Sequence, residues 1–343
     1  MAKNKYLFDF SSSFIGGGLK RLSEYSNYFN INGGAFFLIH PNSQELIDTY
    51  PLNKYLVIRK NKLQQLTNNQ KHLIDFFSIN SDFDLYYSYG IPILKRYAEV
   101  NWMHISNILP FINDAFPLTL LETTKIKILR KTFQYGVKNA DIVSAESQAS
   151  LKYINSKKLF LSENGSDDEI RLFQNANSQE LIRKDIAVVL GTYRYKDLNA
   201  AYEIFSMLRV KNPSLKLIII GDKSPVPLEI LGDSNVLLMG LLPRNEVIKY
   251  LLNSKYYLSA TLVENSYNAA SEGIFLSKTS YISDIPPHRE LLNNCNFEES
   301  KLTSSGRTFL KVKSADLTTQ NIKTWEQVIS ELILHLNENL KSN

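Results

Sequence analysis

The sequence predicts an α/β protein made of two doubly wound domains. Three observations carry that prediction. Apolar, strand-like runs alternate with amphipathic helical segments along the chain. The alternation pauses at the polar stretch SDDE (166–169) and restarts at IAVVL (186–190). The length, 343 residues, exceeds what one hydrophobic core commonly holds.

The elements follow in order. YLFDF (6–10) reads as a buried strand, then comes the loop SSSFIGGG and the helix LKRLSEYSNYF. GGAFFLIHP (33–41) and KYLVIRK (54–60) are the next strands, and NNQKHLIDFFSIN (68–80) is a helix. FDLYYSYG (83–90) is a strand stopped by glycine, with IPILKRYAEV helical after it. NWMHISN (101–107) is a strand, residues 119–140 form a long helix, and DIVSAES (141–147) and KLFLSENG (158–165) close the first half. The second half runs strand and loop 186–196, helix NAAYEIFSMLRVKN, strands 215–222 and 235–242, and helix RNEVIKYLLNS. Strand 255–261, helix 266–277, strand 279–284 and an amphipathic C-terminal helix complete it. The domains expected are 1–165 and 180–320, with helix 321–343 packing back on the first.

Apolar residues make up 44% and charged residues 21%, enough for a substantial core. Cys295 is the single cysteine, so no intrachain disulfide forms, which fits a reducing compartment. The N-terminus does not read as a signal peptide, and no apolar run reaches the length of a membrane span. Net charge is +5, shared unevenly: residues 1–160 carry 19 Lys and Arg against 12 Asp and Glu. A solubility surface and an anionic partner explain that excess equally well.

In doubly wound sheets, ligands bind at the carboxyl ends of strands. Five motifs stand out. SSSFIGGG (11–18) lets backbone approach a ligand, and the helix after it offers free N–H groups to phosphate. It lacks the Lys-Ser/Thr of a P-loop. GTYRYK (191–196) places Arg194 and Lys196 where they can neutralise a diphosphate. His104, in WMHISN, is either structural or a polar and proton-handling group. Asp82 and Asp84 have the spacing of a metal pair but read better as a strand-entry turn. In ENSYNAASE (264–272), Ser266 or Asn265 can cap a helix whose first amides bind an anion, with Glu264 before it and Glu272 inside it.

Taken together, FIGGGLKRL, SENGSDD, VLGTYRYKDLNAAYEIF, LIIIGD, VLLMGLLPRNEVIKYL and ENSYNAASEGIFLSKTSYISDIPPHRELL resemble retaining glycosyltransferases of the GT-B fold, family 4. The resemblance is scattered in the first half and nearly continuous over about 186–293. It implies a GT-B fold, with two Rossmann-like domains facing across a cleft. It implies that Glu264 holds hydroxyls of a donor sugar and Glu272 the nucleotide ribose. The amides of Ser266, Tyr267 and Asn268 would hold the diphosphate, balanced by Arg194 and Lys196. Gly17 and Gly18 resemble the glycine pair at the donor phosphate, and His104 the histidine near the transferred sugar. The chain departs from the pattern at Asn265–Asn268, where the family often has Glu-Gly-Phe-Gly, and at Ser277 and Lys278, where glycine is common.

The function implied is sugar transfer from a nucleotide-diphosphate sugar to a glycan acceptor, lipid-linked, in bacterial O-antigen or capsule synthesis. No metal and no other cofactor is expected, because the cations do the charge stabilisation. Nucleic acid is not an expected partner. The basic helix 119–138 adds an anionic membrane surface, which places the protein in the cytoplasm and at the inner face of the membrane. Rival readings are a nucleotide-sugar epimerase of the same fold, a metal-dependent transferase using Asp82 and Asp84, and a non-catalytic nucleotide-sugar or glycan-binding module.

Overall fold

The computed structural model describes residues 5–13, 16–59, 76, 82–112, 116–166, 183–293, 295–317 and 323–341. The chain divides into two compact units, Met1–Gly165 with Lys323–Asn343, and Ser166–Ile322. Each holds a seven-stranded, mainly parallel sheet, as the alternating pattern requires.

In the first unit the strands are β1 (Tyr6–Phe10), β2 (Phe36–Ile39), β3 (Lys54–Val57), β4 (Leu85–Tyr89), β5 (Val100–Ile105), β6 (Ile142–Ala145) and β7 (Leu159–Leu161). Their order is β3-β2-β1-β4-β5-β6-β7, all parallel. Both faces of the sheet are covered, so the central strands read as continuous apolar runs rather than alternating ones. Phe8 stacks on Phe37 at 5.3 Å and tilts against Tyr87 at 5.5 Å, in one core with Phe10, Tyr25 and Trp102.

A fully buried arginine runs through this unit. Arg21, on the helix Gly16–Ile31, donates to the carbonyls of Ser162 and Glu163, both at 2.9 Å, and to Asn164 Oδ1 at 3.1 Å. Its guanidinium also lies over the rings of Tyr25, Tyr89 and Trp325. It thus ties the first helix to the end of the last strand, where the chain leaves the unit. The chain returns beside it. A Cβ on Gly165 would lie 2.4 Å from the Trp325 nitrogen, so only glycine lets the outgoing and returning backbones touch. The helix Trp325–Lys341 then buries Trp325, Ile329, Leu332 and Leu336 in the first unit's core.

In the second unit the strands are β8 (Lys184–Leu190), β9 (Lys216–Ile220), β10 (Val236–Gly240), β11 (Ser254–Ser259), β12 (Thr279–Ser283), β13 (Glu298–Lys301) and β14 (Thr308–Lys313). The order is β10-β9-β8-β11-β12-β14-β13. The first five are parallel, and β14 and β13 add an antiparallel edge. That hairpin was not expected from the sequence, because Glu298–Lys301 is polar and largely solvent-facing.

Three further differences have local causes. Residues 91–99 are not a helix. Pro92 disfavours helical backbone at Ile91. Side chains then take up the main-chain groups: Asn101 accepts from Tyr97 N at 2.8 Å and donates to Ala98 O at 3.0 Å. The helix expected from 266 begins at Asn268, with Tyr267 rather than Ser266 or Asn265 as the preceding cap residue. The helix expected over 68–80 lies outside the described residues, apart from Phe76.

Each sheet reverses its winding direction once beside its first strand, between β1 and β4 and between β8 and β11. Crevices at the carboxyl ends of such strand pairs are where doubly wound sheets bind ligands.

The close approach of the helix Asn268–Leu276 to β11 depends on Gly273, where an added Cβ would lie 2.1 Å from the Tyr257 ring. Gly273→Ala is therefore expected to cost about 1–3 kcal/mol or more in urea unfolding. Gly232→Ala, which meets only ordinary contacts at 3.5 Å, should change stability by less than about 1 kcal/mol. Equal effects would contradict the packing described.

Candidate functional site

The second unit's site starts where β8 ends. Gly191, at φ +83°, turns the chain, and its missing side chain leaves room for Lys196, whose Cε would lie 3.4 Å from a Cβ there. Arg194–Lys196 form one 3-10 turn, closed by Lys196 N donating to Tyr193 O at 2.7 Å. Asp197 ends that turn in the left-handed region at φ 46° and caps the helix Leu198–Lys211 through Ala200 N. The turn docks on the loop after β11: Leu262 N donates to Tyr195 O at 2.7 Å.

That docking brings Lys196 to Glu264. Their side chains form a hydrogen-bonded ion pair, 11% and 16% exposed. The Lys196 ammonium also sits 5.6 Å from the centre of the Tyr195 ring, which stacks parallel on Tyr193. One acid and one base, from the ends of adjacent strands β8 and β11, thus meet at the switch point of the sheet. A mostly shielded pair of this kind has a strong mutual attraction, yet stays reachable by a ligand carrying both hydroxyls and negative charge. Arg194 is exposed on the same turn.

Four residues after Glu264 the helix Asn268–Leu276 begins. The Tyr267 side chain does not cap its start, and the first turn is closed by Ser271 N donating to Tyr267 O at 2.7 Å. The amides before Ser271 form the positive end of the helix and suit an anion. Ser266, Tyr267 and Asn268 are all half-buried there. One turn into this helix, Glu272 pairs with Arg244 at 2.6 Å. Arg244 was missed in the sequence. It stands at the first position of the helix Arg244–Asn253, where a cation opposes the helix dipole. That misplacement was the available signal that a carboxylate compensates it.

His288 is fully buried in the helix Pro286–Leu291, just after β12, within the electrostatic reach of Lys196. Its Nδ1–H donates to Ser283 O at 2.7 Å, so Nε2 carries the lone pair, and that atom has no hydrogen-bond partner among the described residues. Burial, with Lys196 adding to it, pushes its pKa down to about 4.

In the first unit, Gly17 is exposed in the first turn of the helix Gly16–Ile31, and a Cβ added at Gly18 would lie 3.2 Å from the side chains of Ser13 and Tyr89. His104 ends up inside the protein, stacked on Tyr89 at 5.0 Å. Trp102 Nε1 donates to Ser144 Oγ at 2.8 Å, and Ser144 Oγ lies 2.9 Å from His104 Nδ1. With the serine hydroxyl donating onward, the proton of neutral His104 sits on Nε2, 3.5 Å from Glu146 Oε1. Burial, reinforced by Arg21, pushes His104 down to about 4. Burial alone would raise the Glu146 carboxyl, but His104 and Arg21 outweigh it and hold it at about 2. Tyr89 OH donates to the same carboxylate at 3.1 Å. His104 thus presents no ring nitrogen to solvent, and Glu146, unnoticed in the sequence, is the group it orients.

Asp84 accepts from Lys5 N at 2.6 Å, and Asp82 turns the chain at φ 73° as the strand-entry reading expects. Lys196, Glu264 and the helix start are brought together, as are Glu272 and Arg244. Gly17, Gly18 and His104 belong to the other unit.

No family model and no curated protein matches this chain. Solved structures do. Sucrose-phosphate synthase from Thermosynechococcus elongatus superposes with a TM-score of 0.66 at 12% identity, covering 99% of this chain and 100% of that one. HepE from Anabaena, in complex with UDP and glucose, gives 0.57 at 14% identity over 84% and 83% of the two chains. A trehalose-phosphate synthase (UDP-forming) from Burkholderia xenovorans, in complex with glucose-6-phosphate, gives 0.51 at 9% identity over 80% and 83%. At these identities the likeness shows the fold, which is GT-B.

The buried histidines make stability fall in acid. Unfolded histidine takes up a proton near pH 6.5, whereas folded His104 and His288 stay neutral down to about 4. The unfolded state therefore binds more protons in that window, and stability drops as pH falls through it, by ~3 kcal/mol per histidine at the acid end. Thermal unfolding between pH 7.5 and 4.5 should show this loss, and His288→Asn, whose amide still donates to Ser283 O, should flatten it. An unchanged slope would contradict the neutral buried ring.

Proposed function

We propose that this protein is a retaining glycosyltransferase that moves a sugar from a nucleotide-diphosphate sugar to a glycan acceptor. The carrying observation is the Lys196–Glu264 pair at the β8/β11 switch point, with Glu264 four residues before the start of the helix Asn268–Leu276. Glu264 accepts hydrogen bonds from the donor sugar's hydroxyls. Lys196, with Arg194, neutralises the leaving diphosphate, and the amides of Ser266, Tyr267 and Asn268 hold its oxygens. Glu272 takes the ribose hydroxyls while Arg244, paired with it at 2.6 Å, orients its carboxylate. The structures similar in fold include one complexed with UDP and glucose and one named as UDP-forming, which supports a uridine donor.

In the reaction, the acceptor oxygen bonds to the anomeric carbon as the bond from that carbon to the diphosphate breaks on the same face. The acceptor's proton passes to a departing phosphate oxygen. Such a transition state needs charge stabilisation at the leaving group, which the two cations and the helix start supply, so transfer proceeds in EDTA. His104, in the first unit, acts through Glu146 rather than by touching sugar.

The acceptor is lipid-linked in this reading, as in surface-polysaccharide synthesis, and the protein works at the cytoplasmic face of a membrane. The helix Leu120–Asn139 supports that. It begins with a capping box between Thr119 and Glu122, so it is a well-ended helix. It exposes Leu120, Leu121, Ile128 and Tyr135 together with Lys125, Lys127, Lys131 and Lys138, while Phe133 faces the core. An exposed face mixing large apolar groups and cations fits an anionic lipid surface. Among the described residues no helix is long and apolar enough to cross a membrane.

Lys196→Ala and Glu264→Ala should each lower transfer at least ~100-fold with the far-UV circular dichroism unchanged. Near-normal turnover in either variant rules out the assignment. For the surface, co-sedimentation with phosphatidylglycerol vesicles at low salt should occur and weaken in Leu121→Ser/Ile128→Ser. Absence of binding by the unaltered protein would remove the membrane part of the reading.

A further inference from the structure

The antiparallel edge places a residue at the site that no motif announces. Every parallel strand delivers the residues after it to the carboxyl edge of the sheet. An antiparallel strand delivers the residues before it. Gly306, at φ +70°, turns the chain into β14, and Arg307 therefore lands at the carboxyl end of β12. There its guanidinium spans three elements. Nη1 pairs with the Asp197 carboxylate, and Nη2 lies 3.0 Å from Ala260 O, 3.3 Å from Thr261 O and 3.1 Å from Ser283 Oγ. The group is three-quarters covered and lies over the Phe309 ring.

These contacts bear on Lys196 and Glu264 from both sides. Asp197 directly follows Lys196, and its left-handed backbone is uncommon for a non-glycine residue, though tolerated by aspartate. Ala260 and Thr261 open the loop that carries Glu264. One planar, permanently charged fork thus pins the Lys196 turn, the Glu264 loop and the end of β12 to one another. A lysine has the charge but not the fork.

We propose that Arg307 is a positioning residue for the Lys196–Glu264 pair, so that nucleoside diphosphate binding depends on it without its touching the ligand. This rests on the donor-site reading above. A purely structural arginine would lower stability and leave affinity intact at temperatures where the variant is folded. A positioning arginine lowers affinity through Lys196.

The test is a double-mutant cycle read by calorimetric titration of UDP, GDP, dTDP and ADP into the full chain, at a temperature where circular dichroism shows every variant folded. Arg307→Ala should weaken the tightest of these at least ~10-fold, and Arg307→Lys should recover part of that loss. In the Lys196→Ala background, Arg307→Ala should cause little additional loss, because the two residues act as one unit. Unchanged affinity in Arg307→Ala, or losses that add in full, would overturn the proposal while leaving the donor site standing. Failure of all four diphosphates to bind the unaltered protein would instead overturn the donor-site reading, and this inference with it.

Discussion

The ion pair between Lys196 and Glu264 is the contact on which the second unit's site depends. Neither residue could reach the other without the switch in strand order. β8 and β11 are distant in sequence and adjacent in the sheet, and each sends its carboxyl end into the same crevice. The left-handed Asp197 stops the Lys196 turn at one step, and the docking of Leu262 on Tyr195 sets the height of the Glu264 loop. Burial of both side chains to below one-fifth exposure makes the pair worth more than a surface salt bridge. It also makes the pair costly to break unless a ligand replaces each partner. A diphosphate for the lysine and sugar hydroxyls for the glutamate are such replacements, which links the geometry to the proposed chemistry.

The first unit uses charge differently. Arg21 is fully buried, and its donors are spent on the carbonyls and side chains at the end of β7. An arginine with its fork satisfied in this way stays charged, and its field helps hold Glu146 ionised and His104 neutral. Those three groups are thereby locked into one protonation arrangement across ordinary pH. The same residue closes the point where the chain leaves and re-enters the unit, next to Gly165 and Trp325. Removing Arg21 would leave a buried carboxylate without its nearest cation, so its structural and electrostatic roles cannot be separated by substitution at Arg21 alone.

Much of the fold was legible because parallel strands covered on both faces write themselves as apolar runs between turn residues. YLFDF, IAVVL and LKLIII could hardly be anything else, and two doubly wound domains follow from their alternation, while the GT-B architecture was implied only by the family resemblance. The polar edge was not legible, since Glu298–Lys301 has no buried face to betray it. The segment after β4 misled for another reason: IPILKRYAEV has helical periodicity, but Asn101 and Ser88 claim its backbone groups from outside the segment. At the site, residues that sit inside strand-end motifs could be named in advance. Arg244, Glu146 and Arg307 could not, because their partners lie 28, 42 and 110 residues away and only folding brings them together. His104 was noticed for its position at a strand end, yet sequence does not reveal that Tyr89 and Ser144 enclose it.

Hydrogen–deuterium exchange on the full chain, with and without saturating nucleoside diphosphate, addresses the donor site most directly. Slowed exchange is expected at the amides of residues 266–270 and in the 193–197 turn, because an anion on the helix start and on Lys196 shields both together. Binding that leaves both segments unprotected, with protection appearing only elsewhere in the chain, would contradict a donor site built on Lys196, Glu264 and the Asn268 helix start.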